Sequence, residues 1–169
     1  HYENMSVALA ESVANQGQGF INSMSFGNGG TSVDPTGIIT YLTPNSTGTN
    51  ATLYNQTYTK IVDDRSVSNL DPQRNKIETR HVNGTNYTDV VVTCLLDYGE
   101  PNGQDAVDGA SASDSLYVFD ELGLVSYSPS GTGKLLTHVI FHPVQKSLNR
   151  LIQIDYTVRV QSLTGFNEG

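Results

Sequence analysis

The sequence is poor in cysteine, tryptophan and charge. Its one cysteine, Cys94, excludes an internal disulfide and argues against an oxidising secretory scaffold, which usually rests on paired cysteines. Charged residues make up 15% of the chain, against roughly 25% in an average domain, so much of the polar surface falls to Ser, Thr, Asn, Gln and Gly. Basic residues are the scarcer sign: 9 Lys and Arg against 17 Asp and Glu, a net charge of −8. That balance lacks the basic footprint of a general nucleic-acid binder. No apolar run approaches the ~20 residues of a membrane-spanning helix, so neither nucleic acid nor membrane is an expected partner. No basic segment followed by an apolar run marks a signal peptide, and the opening His1 leads us to expect a processed or truncated N-terminus.

What the chain has is strand signal. Its 169 residues suffice for one domain with a sizeable core. From Leu151 to Gln161 the residues alternate, with Ile152, Ile154, Tyr156, Val158 and Val160 on one side and Gln153, Asp155, Thr157, Arg159 and Gln161 on the other. Side chains alternate across a strand, so this pattern predicts a core face and a water face. Leu135 to His142 reads as a second strand, apolar on both faces and therefore central, ending where Pro143 cannot donate to a ladder. Further strands are expected over 20–26, 37–42, 53–62, 77–82 and 87–97, with Asn83-Gly84 as a tight hairpin turn. Met5 to Ala14 is the one helix candidate, marginal alone and expected to dock as an arm on a neighbouring chain. The expected class is all-β, or β-rich α+β: an antiparallel β-sandwich with a short N-terminal helix or arm. The expected parts are an arm over 1–19, one β-rich domain over 20–162 and a tail over 163–169. The polar stretch 98–115 reads as a long contact loop.

The candidate chemical sites have plainer readings. Gly131-Thr-Gly-Lys134 lacks the spacing of a phosphate loop and the helix that should follow it, so a turn is expected. His138 and His142 would stand about 13 Å apart on a strand, too far to share a metal. Asp97, Glu100, Asp105, Asp108 and Asp114 carry no calcium-loop pattern and read as a solvated acidic loop. Asp63, Asp64 and Arg65 read as a turn with a local ion pair. Six glycosylation sequons, at Asn4, Asn45, Asn50, Asn55, Asn83 and Asn86, are what a chain rich in Asn, Ser and Thr yields by chance. Cys94 sits in the apolar run 90–96 and is expected to be a buried, unreactive thiol. No catalytic, cofactor-binding or metal-binding residue is assigned.

Five segments, Phe26-Gly-Asn-Gly-Gly30, Leu53 to Tyr58, Asp120-Glu-Leu-Gly-Leu124, Pro143-Val-Gln-Lys146 and the strand Ile152 to Val160, stand in an order and spacing that carry a resemblance. Over about 20–161 the chain resembles the N-terminal domain of tail-collar fibre proteins of tailed bacteriophages. The resemblance singles out Gly27, Gly29, Gly30, Tyr58, Glu121, Gly123, Leu124, Pro143 and Lys146 as structural motif residues. Gln56 departs from the glutamate common in that family. The resemblance implies a non-enzymatic virion protein of tail, neck or fibre collar, without cofactor, docking on other virion proteins and on copies of itself, trimers included. The other expectations weighed are a decoration protein of the phage head, a carbohydrate-binding β-sandwich and a hydrolase with a scattered site.

Overall fold

The computed structural model of the chain describes residues 1–101 and 116–163. Most of the acid-rich loop, with Asp105, Asp108 and Asp114, and the tail from 164 lie outside the described residues.

Helix α1 spans Tyr2–Val13, three residues earlier than its sequence signal. The His1 side chain caps it, Nδ1 accepting the Asn4 N–H at 3.1 Å, and Glu3 sits in the first turn where the helix dipole favours an acid. Its buried face holds Asn4 and Ala8. The His1 ammonium donates to the Leu136 carbonyl at 3.0 Å, and the Asn4 amide to the Leu135 carbonyl at 2.9 Å. The segment expected to reach a neighbour is thus bonded to its own chain. Ala8 sits in the core and Met5 packs against it. With Asn4 fully buried, the first sequon cannot carry a glycan in this fold.

Nine strands follow: β1 Ile21–Gly27, β2 Thr31–Val33, β3 Ile39–Tyr41, β4 Gln56–Ile61, β5 Lys76–His81, β6 Tyr87–Leu96, β7 Leu116–Ser126, β8 Val139–Ser147 and β9 Ile152–Gln161. One sheet has the order β4-β1-β7-β8, a second β5-β6-β9, and β2-β3 is a separate hairpin. Every pairing is antiparallel. The β-rich antiparallel class expected from the sequence is the class observed.

The two larger sheets share one core. Met24 and Phe26 of β1 stand opposite Leu124 and Leu122 of β7, and Val92, Cys94 and Leu96 of β6 join them. Phe26 and Phe119 meet edge-on at 5.2 Å between ring centres, and Phe119 meets Phe141 at 5.7 Å; such pairs add to the area they bury. β6 is the best-buried strand of its sheet because it has a neighbour on each side. β9 keeps the alternation read from the sequence, with Ile154, Tyr156 and Val158 packed against the core and Gln153, Asp155 and Arg159 exposed. The Asn83-Gly84 hairpin is also present, Gly84 holding φ +90°.

Two strand expectations need correction. Residues 135–138 are not a central strand. They cross over β7, where Leu135 makes a single bridge to Val125 and Thr137 Oγ1 accepts the Leu124 N–H. Gly123 permits this approach, since a Cβ there would stand 2.3 Å from the Thr137 carbonyl oxygen. Nor does Pro143 end a strand. β8 runs through it at the sheet edge, beside a slip in the β7–β8 register between Phe119 and Glu121. Edges and bulges are where a missing N–H is tolerated.

Candidate functional site

Gly27 on β1 faces Glu121 on β7 directly. The glycine leaves space for the carboxylate: a Cβ at Gly27 would lie 2.6 Å from Glu121 Oε2 and 2.4 Å from the Asn55 carbonyl oxygen. Glu121 fills that space and accepts four hydrogen bonds. Oε2 takes the N–H groups of Gly29 and Asn55, each at 2.9 Å, and Oε1 takes the Tyr54 N–H at 2.9 Å and His138 Nε2–H at 2.7 Å. Neither the Glu121 nor the His138 side chain reaches solvent.

The register slip at Phe119/Glu121 brings the neighbouring acid to the same place, since a bulge re-aims side chains. Asp120 Oδ1 accepts the Gly30 N–H at 2.8 Å, and Oδ2 accepts the Thr31 N–H at 3.0 Å and its hydroxyl at 2.5 Å. Asn45 N–H donates to His138 Nδ1 at 2.8 Å, which places the ring proton on Nε2, facing Glu121. Burial pushes the Glu121 carboxyl up, but the His138 bond and the Asn55, Tyr54 and Gly29 N–H groups outweigh it and hold the carboxyl below its ordinary value. Buried charge is costly unless hydrogen-bonded, and here the bonds come from the backbone of 29–31, 45 and 54–55.

A second cluster lies around the turn after β6. Lys146, fully buried, donates to the carbonyls of Asp97, Glu100 and Ser147 at 2.9, 2.7 and 2.8 Å. Lys60 pairs with Glu100, whose carboxylate also receives the Asp97 N–H and the Tyr58 hydroxyl. Burial lowers the Lys146 ammonium below its ordinary value against the opposing pull of Glu100 and Asp97. Asp97 also pairs with Arg74.

The motif residues therefore converge on two places. Gly27, Gly29, Gly30 and Glu121 form the first cluster, with Gly123 and buried Leu124 close along β7; Tyr58 and Lys146 belong to the second. Pro143 lies on the edge strand β8 and takes part in neither. The sequence reading missed Asp120, His138, Lys60 and Glu100 as partners. A signal was present: glycines clustered at 27–30 and adjacent acids at 120–121 are what a carboxylate bound by close backbone N–H groups requires.

Asp97 and Glu100, read as part of a solvated acidic loop, are instead paired with Arg74 and Lys60; of the other sites described, the 131–134 turn, His142 and Cys94 follow the plainer readings and one does not. Gly131 sits in a turn, its N–H bonded to the Ser128 carbonyl, and Ser126 and Lys134 bridge the turn's base. His142 is exposed on β8. Cys94 is buried, and burial pushes its thiol up to about 12. The exception is Arg65, which forms no ion pair with Asp63 or Asp64; its backbone N–H donates to Asp63, while Asp64 accepts the Ile77 N–H. Among the described residues no group of three or more His, Cys, Asp or Glu could hold a metal, and no helix is long and apolar enough to cross a membrane.

What the first cluster holds is a lobe over residues 28–55, containing the β2–β3 hairpin. Asp34 ties the hairpin tip through the N–H groups of Thr36 and Ile38. The lobe exposes five large apolar side chains, Val33 and Ile38 at 63%, Tyr41 at 49%, and Leu42 and Tyr54. No family model, curated protein or solved structure matches the chain.

Proposed function

We propose that the chain is a non-enzymatic structural component of a tailed bacteriophage particle, a tail, neck or collar-associated protein that docks on other virion proteins through the lobe 28–55. One observation carries this reading: the buried acids and the buried histidine bond backbone N–H groups of that lobe, so the ionisable interior fixes a loop surface instead of addressing a cleft. Glu121, Asp120 and His138 each have their partners within the fold. A lobe so anchored presents its exposed apolar side chains at low entropic cost on binding. Three of the motif residues depend on one another, in keeping with the resemblance: Gly27 leaves room for the Glu121 carboxylate and Gly29 donates its N–H to it, while Gly30 donates to the adjacent Asp120.

Mass spectrometry of gradient-purified particles, with an antibody to the chain in electron microscopy, tests the reading. It predicts the chain at a fixed stoichiometry at one particle location. Absence from intact particles overturns it, as does turnover of a glycan by the isolated chain that disappears in Glu121→Gln. A label on the head shell would make it a decoration protein instead.

A further inference from the structure

Four strands form the edges of the two larger sheets: β4 and β8 of one, β5 and β9 of the other. Three of them are short or interrupted. β4 and β5 have six residues each, and β8 contains Pro143 beside a register slip. β9 has ten residues, no proline or glycine, and pairs with β6 without a slip from end to end. Among the described residues no strand pairs with its outer edge. Such an edge offers a row of N–H and C=O groups to another strand.

The inner face of β9 is also incomplete. On neighbouring β6, Val92, Cys94 and Leu96 have no exposed surface. Ile152, Ile154, Tyr156 and Val158 of β9 are only half-buried, and Val160 is 40% exposed. Val158 and Val160 line an open groove of about 880 Å³ between α1 and this sheet.

We propose that β9 pairs antiparallel with β9 of a second copy of the chain, about a two-fold axis through Thr157. The sheet β5-β6-β9 of each copy, three strands and three, then becomes one continuous sheet of six. The register follows from the sequence of β9. Keeping inner residues inside restricts the two-fold to registers centred on a residue. Centring on Asp155 or on Arg159 sets like charges opposite each other. Centring on Tyr156 or Val158 leaves both charges without an opposite charge. Centring on Thr157 sets Asp155 opposite Arg159 twice, Gln153 opposite Gln161, Ile154 opposite Val160 and Tyr156 opposite Val158. Directly opposed residues of one face interact, and opposite charges there are favourable.

Of the two charged groups, Asp155 is the open one, and Arg159 already pairs with Asp89 of β6 and would be shared with the second copy. Asp155 bonds only Gln153 among the described residues. Arg159 is held flat, stacked 3.8 Å over the Tyr87 ring and bonded to Asp89 through Nε and one terminal nitrogen. An isologous contact of this kind closes on itself and does not propagate into a fibre. It concerns β9 alone and does not depend on where the chain sits in a particle.

Sedimentation of the full chain at about 100 µM, with light scattering to give the mass, tests the proposal. The wild-type chain is expected at twice the monomer mass. Asp155→Arg, at an exposed position, is expected to keep its thermal unfolding midpoint and to weaken dimerisation at least tenfold. Arg159→Glu is expected to do the same to dimerisation. An equal mixture of the two variants is expected to recover dimers, because the arginine introduced in one chain then meets the glutamate introduced in the other. Thr157→Cys is expected to cross-link two chains on mild oxidation, Cys94 being buried. A wild-type monomer at this concentration overturns the proposal. So does a dimer unchanged by Asp155→Arg, a folded Thr157→Cys chain that does not cross-link, or folded single variants whose mixture stays monomeric.

Discussion

Glu121 and His138 meet at 2.7 Å with neither side chain exposed, and each reaches past the other to the backbone of the same lobe. Glu121 takes the N–H groups of Gly29, Tyr54 and Asn55, and His138 takes that of Asn45. The pair is a fastener between β7 and the residues that surround the β2–β3 hairpin.

Glu121→Gln keeps the shape and changes the bonding. A carboxamide places its NH2 toward N–H donors on one side or the other, leaving buried donors unmatched. We expect a loss of about 2–4 kcal/mol in urea unfolding. A loss below about 0.5 kcal/mol would show that the cluster does not support the fold.

The same carboxylate sets an acid limit. Its folded value is depressed below the ordinary 4.5, so its contribution is complete above that value and is lost as pH falls through it toward the lower folded value. The stability difference between wild type and Glu121→Gln should therefore be constant from about pH 6 to 8 and shrink between about pH 5 and 3. A difference that grows as the pH falls over that range contradicts the direction of the shift.

Gly27→Ala tests the steric half of the relationship. Its Cβ would stand 2.4 Å from the Asn55 carbonyl oxygen and 2.6 Å from Glu121 Oε2, neither of them the free end of a flexible chain. A cost of about 3 kcal/mol or more is expected in thermal or denaturant unfolding. A neutral effect would mean that β1 and β7 are not so closely opposed.

Lys146→Met removes a buried ammonium of similar length and leaves three carbonyls, those of Asp97, Glu100 and Ser147, without their donor. The expected cost is about 2–4 kcal/mol. Hydrogen exchange should show it first in residues 97–100, whereas the amides of β1 should keep their protection.

Local pattern and tertiary geometry were legible to different degrees. β9 was readable to within one residue because its two faces differ throughout, and the Asn83-Gly84 turn because few residues take that backbone. Residues 135–138 misled because apolar residues on both sides signal burial without saying whether the cover is another strand or a crossing segment. Pro143 misled because its penalty depends on a partner strand, and β8 has none on its outer side among the described residues. The site was half legible. The motif residues Gly27, Gly29, Gly30 and Glu121 were picked out, but that the glycines serve the carboxylate depends on the register of β1 against β7. His138 and Asn45 are 93 residues apart, and no local signal joins them.

The central claim is that the anchored lobe is a docking surface, and the most direct measurement is incorporation into particles by a lobe variant that still folds. Val33→Asp, Ile38→Asp and Tyr41→Asp together change exposed side chains of the hairpin and none of the anchoring bonds. The account predicts an unchanged unfolding midpoint and loss of the chain from gradient-purified particles. Full incorporation of the folded triple variant would contradict it.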